Sequence, residues 1–311
     1  MMRIVFAATP GFSVPCLQAL LDCPDMDVVG VVSQPDRKSG RGMKLTPSPV
    51  KKAALDAGID VITPESLRND DQALAWLNAK KADFLVVVAF GMILPNQWLD
   101  APSIAPINVH ASLLPRWRGA APIERALLAG DDETGVCMMH MEEGLDTGGV
   151  YATQTLPISN TTTGSDLWFA LAPMGAKLLV ETLPKIAQGL ACVGQDVQGM
   201  TYAKKLQNDE RIIDWSMDAS AIDRVVRCFS PKPGARTLAD GKWLKVIAGE
   251  VLPLTTGKIA GEVVSVKDGL SVTCGDAAVY QITELQPEGK KPMRAADYLR
   301  GAKLHEGNIL G

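Results

Sequence analysis

Histidine is scarce in this chain. Three of its 311 residues are His, at positions 110, 140 and 305, so few side chains can carry a proton near neutral pH. The histidines do not cluster with cysteines in sequence, and no metal site is expected. The six cysteines, at 16, 23, 137, 192, 228 and 274, form no C-x-x-C pair. Such scattered thiols suit reduced, mostly buried side chains and a cytoplasmic location. No apolar run reaches 18 residues, so no membrane span is expected. The turn after the first apolar run, Ala8-Thr9-Pro10-Gly11, is not G-x-G-x-x-G, and the dinucleotide fingerprint is absent. An excess of positive charge is also lacking. The net charge is −4, which offers no global field for a nucleic acid. Residues 201–311 hold 16 Lys+Arg and 14 Asp+Glu, a net of +2 against −6 for the remainder, so any polyanion must be met by a local patch.

What is present describes a globular protein with ample core, at 47% hydrophobic and 21% charged residues. The length suggests about two domains. Met2–Ala8 is apolar, short, and runs into Thr9-Pro10-Gly11, so it reads as a first buried strand rather than a leader. An apolar helical face over Val14–Leu21 and a β-branched run over Val28–Val32 complete a βαβ start. Phe84–Ala89 is the most β-like run and predicts a central strand buried on both faces. Further helices are expected over Val50–Ala57, Asp71–Asn78, Ala121–Ala129 and Ser165–Ala187, with strands over Asp60–Ile62, Thr134–Met141 and Tyr151–Leu156. Ser33–Lys52, with three prolines, two glycines and six basic residues, reads as a mobile basic loop.

The stretch Ile107–Gly119 organises the rest. Ala105–Val109 is a short buried strand, and residues two apart on a strand share a face. Asn108 and His110 then emerge together at its C-terminal end, the edge where open α/β sheets place ligands. Asn offers an amide donor able to hold an oxyanion, and His can accept or give a proton. The plainer reading is a turn-forming Asn and a satisfied structural His.

The surrounding residues carry more. Asn108-x-His110-x-Ser112-Leu113-Leu114-Pro115 with a later Asp146 resembles the formyltransferase family that uses 10-formyltetrahydrofolate. Phe6-Ala-Ala-Thr-Pro10, Gln34-Pro-Asp-Arg37, Gly40-Arg-Gly42, Pro47-Ser-Pro-Val50, Phe90-Gly91-x-Ile93-Leu94-Pro95 and Arg116–Pro122 extend the resemblance to members that formylate the methionine of initiator tRNA. It covers nearly the whole chain and is thinner after residue 205. Members often have Gly where Ala8 stands.

The resemblance implies a soluble, cytoplasmic enzyme of translation initiation and one-carbon metabolism, with 10-formyltetrahydrofolate as co-substrate and no metal. It assigns Asn108, His110 and Asp146 to catalysis, where Asp146 orients the His110 ring and stabilises its imidazolium. Asp146 otherwise reads as a turn residue between Gly144 and Gly148. Phe90, Gly91, Ile93 and Leu94, with Ser112, Leu113, Leu114 and Pro115, are its folate-binding candidates, although the apolar ones among Phe90–Leu94 equally read as core. Its tRNA-binding candidates are Arg37, Lys38, Arg41 and Lys44, with Arg41 first among them.

The polar stretch Met200–Trp215 marks a domain connection. The expected division is 1–205, an α/β domain with a Rossmann-like, mostly parallel sheet carrying the basic insert 33–52, and 206–311, a smaller C-terminal β-barrel of the OB-like kind. A helix near Ala219–Cys228 precedes β-rich runs at Trp243–Ala248, Lys258–Val266, Leu270–Thr273 and Val279–Leu285. Lys232, Arg236, Lys290, Lys291 and Arg294 either track tRNA phosphate or form a solvated face. A monomer is expected. The alternatives are a formyltransferase acting on glycinamide ribonucleotide or an amino sugar nucleotide, a formyltetrahydrofolate hydrolase, and a non-catalytic tRNA- or folate-binding protein.

Overall fold

A computed structural model describes all residues except Gly40 and Arg41. The chain divides into two compact units. The first comprises residues 1–122, 133–157 and 168–204, and the second residues 123–132, 158–167 and 205–311.

In the first unit the described residues form a seven-stranded sheet. Its order is Val150–Pro157, Glu133–His140, Ala105–His110, Phe84–Val88, Met2–Ala8, Met26–Val32, Val61–Ile62. The five strands from Ala105–His110 to Val61–Ile62 run parallel, and the other two are joined at one edge through antiparallel pairings. The chain builds outward from Met2–Ala8 to one side, then returns and builds to the other. This reversal puts the topological switch point, where open α/β sheets bind ligands, at the C-terminal ends of Met2–Ala8 and Phe84–Val88. Every residue of Phe84–Val88 is buried, as its unbroken apolar run predicts. Ser13, itself fully buried, donates to the Val88 carbonyl at 2.7 Å where that strand ends.

Residues 33–52 correct the expectation of a loop. Arg37–Ser39 and Lys44–Thr46 pair as an antiparallel hairpin, with Arg37 opposite Thr46 and Lys38 opposite Leu45. The physical reason is local: Gly42 and Met43, just before the second strand, have φ of +92° and +49°, left-handed values that hairpin connections commonly use. A helix, Pro49–Asp56, then begins inside the segment. Ser48 caps it by accepting from the Lys51 amide at 3.0 Å. Arg41 lies outside the described residues.

The second unit is an antiparallel sheet in the order Ala235–Ala239, Lys242–Thr255, Ala278–Pro287, Leu270–Thr273, Val263–Ser265, with Met293–Arg294 also on Ala278–Pro287. The helix Ala219–Phe229 buries Ile222, Val225, Val226 and Phe229, a spacing of three and four that lays one apolar stripe on the sheet. Two strand expectations change. Trp243–Ala248 extends to Thr255, and Lys258–Val266 shrinks to Val263–Ser265. Pro253 lies where the ladder to Ala278–Pro287 shifts register; lacking an N–H, it masks the strand pattern and is accommodated at the irregularity.

Within this unit Arg125 grips Glu210 with both terminal nitrogens, the second at 3.0 Å. Those hydrogen bonds, chiefly, hold the Glu210 carboxyl below its ordinary range. A lowered carboxylate stabilises the fold above its unfolded value and loses that contribution as pH falls through the folded one. The pair is partly exposed, so Glu210→Gln is expected to cost about 1 kcal/mol or less at pH 7. The gap in urea midpoint between variant and wild type should hold steady above the ordinary glutamate range and narrow as pH falls below it. A gap that does not narrow with falling pH would contradict the assignment.

Candidate active site

Ala105–His110 is buried along its whole length between Phe84–Val88 and Glu133–His140. This fixes the height and direction of Asn108 and His110, which leave the same face near its C-terminal end. Asp146 meets both. Asn108 Nδ2 donates to Asp146 Oδ1 at 3.2 Å, and Asp146 Oδ2 stands 3.5 Å from His110 Nδ1. The Gly119 amide also donates to Asp146 Oδ2, at 2.8 Å. Asn108 and His110 are buried and Asp146 nearly so, and the carboxylate is thereby held in little water.

The other ring nitrogen also faces an acceptor. His110 Nε2 lies 2.9 Å from the Trp117 carbonyl, which can only accept. A proton on Nε2 satisfies this shorter contact, and in that neutral tautomer the Nδ1 lone pair is turned toward Asp146. A proton gained at Nδ1 would face a carboxylate. Nδ2 of Asn108 has two hydrogens and spends one on Asp146, leaving the other for an oxygen.

The backbone around this trio is unusual. Trp117 and Asp146 are non-glycine residues at φ +64° and +53°, a conformation costing roughly 1–2 kcal/mol each. Both are held by hydrogen bonds from elsewhere. The Trp117 amide donates to Thr201 Oγ1 at 2.9 Å, and Gln195 Nε2 donates to the Asp146 carbonyl at 2.9 Å. Arg118–Gly119 forms a two-residue parallel ladder with Tyr202–Ala203. At Gly119, φ is +118° and a Cβ would come within 2.9 Å of the Ala203 carbonyl, so only glycine fits there.

The remaining sequence candidates are placed unevenly. Phe90 is buried in the core cluster with Val5, Leu85, Val87 and Trp98, and Leu94 packs against that cluster. Gly91 and Ile93 are exposed. The backbone at this turn is tied to the first two strands: Thr9 Oγ1 and Gln34 Nε2 both donate to the Phe90 carbonyl at 2.9 Å, and Gln34 Nε2 also reaches the Gly91 carbonyl. Ser112 is fully buried and donates to the Arg116 carbonyl at 2.6 Å. Leu113, Leu114 and Pro115 are half-buried, with a cis bond before Pro115. Arg37, Lys38 and Lys44 are exposed on the hairpin, and Arg37 Nη2 donates to Gln34 Oε1 at 2.6 Å. The described residues hold no group of three or more His, Cys, Asp or Glu arranged for a metal, and no helix long and apolar enough to cross a membrane.

Comparison with known proteins fits this geometry. The family model described as formyl transferase matches residues 2–183, and that of the formyl transferase C-terminal domain matches residues 205–303. The methionyl-tRNA formyltransferase of Magnetococcus marinus is 49% identical over 311 residues, covering 99% of this chain and 98% of the relative. This chain belongs to the methionyl-tRNA formyltransferase family. It is a formyltransferase. Another family member, from Pseudoalteromonas translucida, is 45% identical over 319 residues, covering all of this chain and 98% of its own. Among solved structures, the sugar 3N-formyl transferase WlaRD matches 94% of this chain and 99% of its own at a TM-score of 0.68 and 19% identity. HypX from Aquifex aeolicus, solved with tetrahydrofolic acid, matches 99% of this chain and 51% of its own at a TM-score of 0.62 and 17% identity. At such identities these two establish the formyltransferase fold.

Sequence reasoning passed over Gln195, Thr201 and the part Arg118 plays. Arg118 lay inside a quoted motif without a role. Gln195 lies in a polar connector with no periodicity, and nothing local marks it.

Proposed function

We propose that this chain transfers the formyl group of 10-formyltetrahydrofolate to the α-amino group of methionine on initiator tRNA, in the cytoplasm and as a monomer. The observation that carries the reading is Asp146, bonded to Asn108 and facing His110, in a chain matched end to end by relatives of that name. The folate supplies the formyl carbon; HypX, solved in complex with tetrahydrofolic acid, and WlaRD, solved in the presence of 5-N-formyl-THF, support a folate donor here. The amine attacks that carbon, a C–N bond forms, and the formyl oxygen takes the charge. The free hydrogen of Asn108 Nδ2 meets that oxygen. The Nδ1 lone pair of His110 takes the amine's proton, and Asp146 stabilises the imidazolium. The proton passes to N10 of the folate as its bond to the formyl carbon breaks. The Trp117 carbonyl keeps the ring in the tautomer this requires.

The test is transfer of label from 10-formyltetrahydrofolate to methionyl initiator tRNA, methionyl elongator tRNA, glycinamide ribonucleotide, an amino sugar nucleotide, or water. Label confined to initiator methionyl-tRNA is expected. Label on a small amine or in free formate would overturn the acceptor, and folate binding without transfer would overturn the activity.

The basic hairpin is our candidate for tRNA contact, on the strength of exposed Arg37, Lys38 and Lys44. Lys38→Ala and Lys44→Ala should each raise the KM for tRNA and reduce the slope of log KM against log salt by about 1. KM for the folate should not move. Unchanged salt slopes in both variants would remove the hairpin from the interface.

A further inference from the structure

We propose that Gln195, gripped by Arg118, is the positioning residue that sets Asp146 against Asn108 and His110, an inference that rests on the reading of those three as the catalytic set. Asp146 needs such a support because its side chain is tied by two donors while its backbone sits at φ +53°. Gln195 Nε2 donates to the Asp146 carbonyl at 2.9 Å and to the Gly148 carbonyl at 2.7 Å. Its Oε1 accepts from Arg118 Nε at 3.0 Å and Nη2 at 2.7 Å. The amide cannot be turned round. Arg118 only donates and the two carbonyls only accept, so each end of Gln195 has a single possible orientation.

Arg118 has no other evident use. It is buried, at 6% exposure, and among the described residues its partners are Gln195 and, at 3.0 Å from Nη1, the Met200 sulfur. A buried guanidinium without a carboxylate is costly to keep. Here its charge pulls electron density toward Oε1 and strengthens the donation from Nε2, as successive hydrogen bonds in a dry site do. Gln195 is itself fixed on both sides. Val193 exchanges backbone hydrogen bonds with Val150 at 2.8 and 2.9 Å, and Thr201 and Tyr202–Ala203 are bound to Trp117 and Arg118–Gly119. The amide is a strut between two anchored segments, pressing on the turn that carries the carboxylate.

Gln195→Glu separates positioning from bulk. It keeps the size of the side chain and gives Arg118 a carboxylate, but removes both donors to the Asp146 and Gly148 carbonyls. We expect kcat to fall about 10²-fold, the scale of a misplaced catalytic group, with KM for both substrates within about twofold. Gln195→Leu, which abandons Arg118 as well, should lose at least as much and unfold at lower urea. The second readout needs no acceptor: with three histidines in the chain, the ring ¹⁵N shifts of His110 should move in Gln195→Glu while those of His305 stay. Wild-type kcat and unshifted His110 nitrogens in Gln195→Glu would overturn the proposal, as would a kcat loss equal to the unfolded fraction. If the wild type formylates a different amine, the acceptor assignment fails and the same comparison is made on that amine.

Discussion

Asp146→Asn is expected to lower kcat about 10³- to 10⁴-fold, the scale seen when the carboxylate beside a catalytic imidazole is neutralised. The substitution preserves shape and changes chemistry at both oxygens. One oxygen becomes an amide nitrogen, and that nitrogen must face either the Asn108 amide or the Gly119 N–H, donor against donor. It also removes the charge opposite His110 Nδ1, so an imidazolium formed there has no partner. The loss amounts to about 4–5.5 kcal/mol of transition-state stabilisation. Saturating single-turnover kinetics measure it directly, with circular dichroism to verify the fold. A drop smaller than tenfold would remove Asp146 from the chemistry.

The second large effect is at Asn108. Asn108→Ala deletes the N–H assigned to the developing oxyanion and should cost about 10²- to 10³-fold in kcat, or about 2.7–4 kcal/mol. The same change strips Asp146 Oδ1 of its donor, so the two residues are coupled. The double variant should therefore lose less than the product of the single losses. Turnover of Asn108→Ala at the wild-type rate with both substrates saturating would refute the oxyanion role.

The strand that carries Asn108 and His110 was legible because its signal is local. Ala105–His110 is an apolar run bounded by a turn, and the two-residue period of a strand puts Asn108 beside His110 without any knowledge of neighbours. Phe84–Val88 was legible for the same reason. Phe90 shows the limit of that reasoning: an aromatic at a strand end suits either a ligand or the core, and its side chain is buried in the cluster with Leu85 and Trp98. The hairpin at Arg37–Thr46 was hidden by prolines on either side, which read as loop, while its reversal depended on Met43 taking a left-handed backbone that no residue type announces. Gln195 was out of reach altogether. Its partner Arg118 is 77 residues away, and a connector's glutamine gains meaning only when the chain has folded back.

The two-residue ladder between Arg118–Gly119 and Tyr202–Ala203 has a consequence for how the site comes into being during synthesis. The two family matches end at 183 and resume at 205, yet Gln195, Met200, Thr201 and Tyr202–Ala203 all lie in the gap. Asn108, His110 and Asp146 leave the ribosome before Gln195, Thr201 and Tyr202–Ala203, which hold the turns at Asp146 and Trp117–Gly119. Contacts so distant along the chain form late, because the intervening segment must first be closed into a loop. A nascent chain halted near residue 183 therefore carries Asn108, His110 and Asp146 with the hydrogen bonds from Gln195 and to Thr201 still unmade.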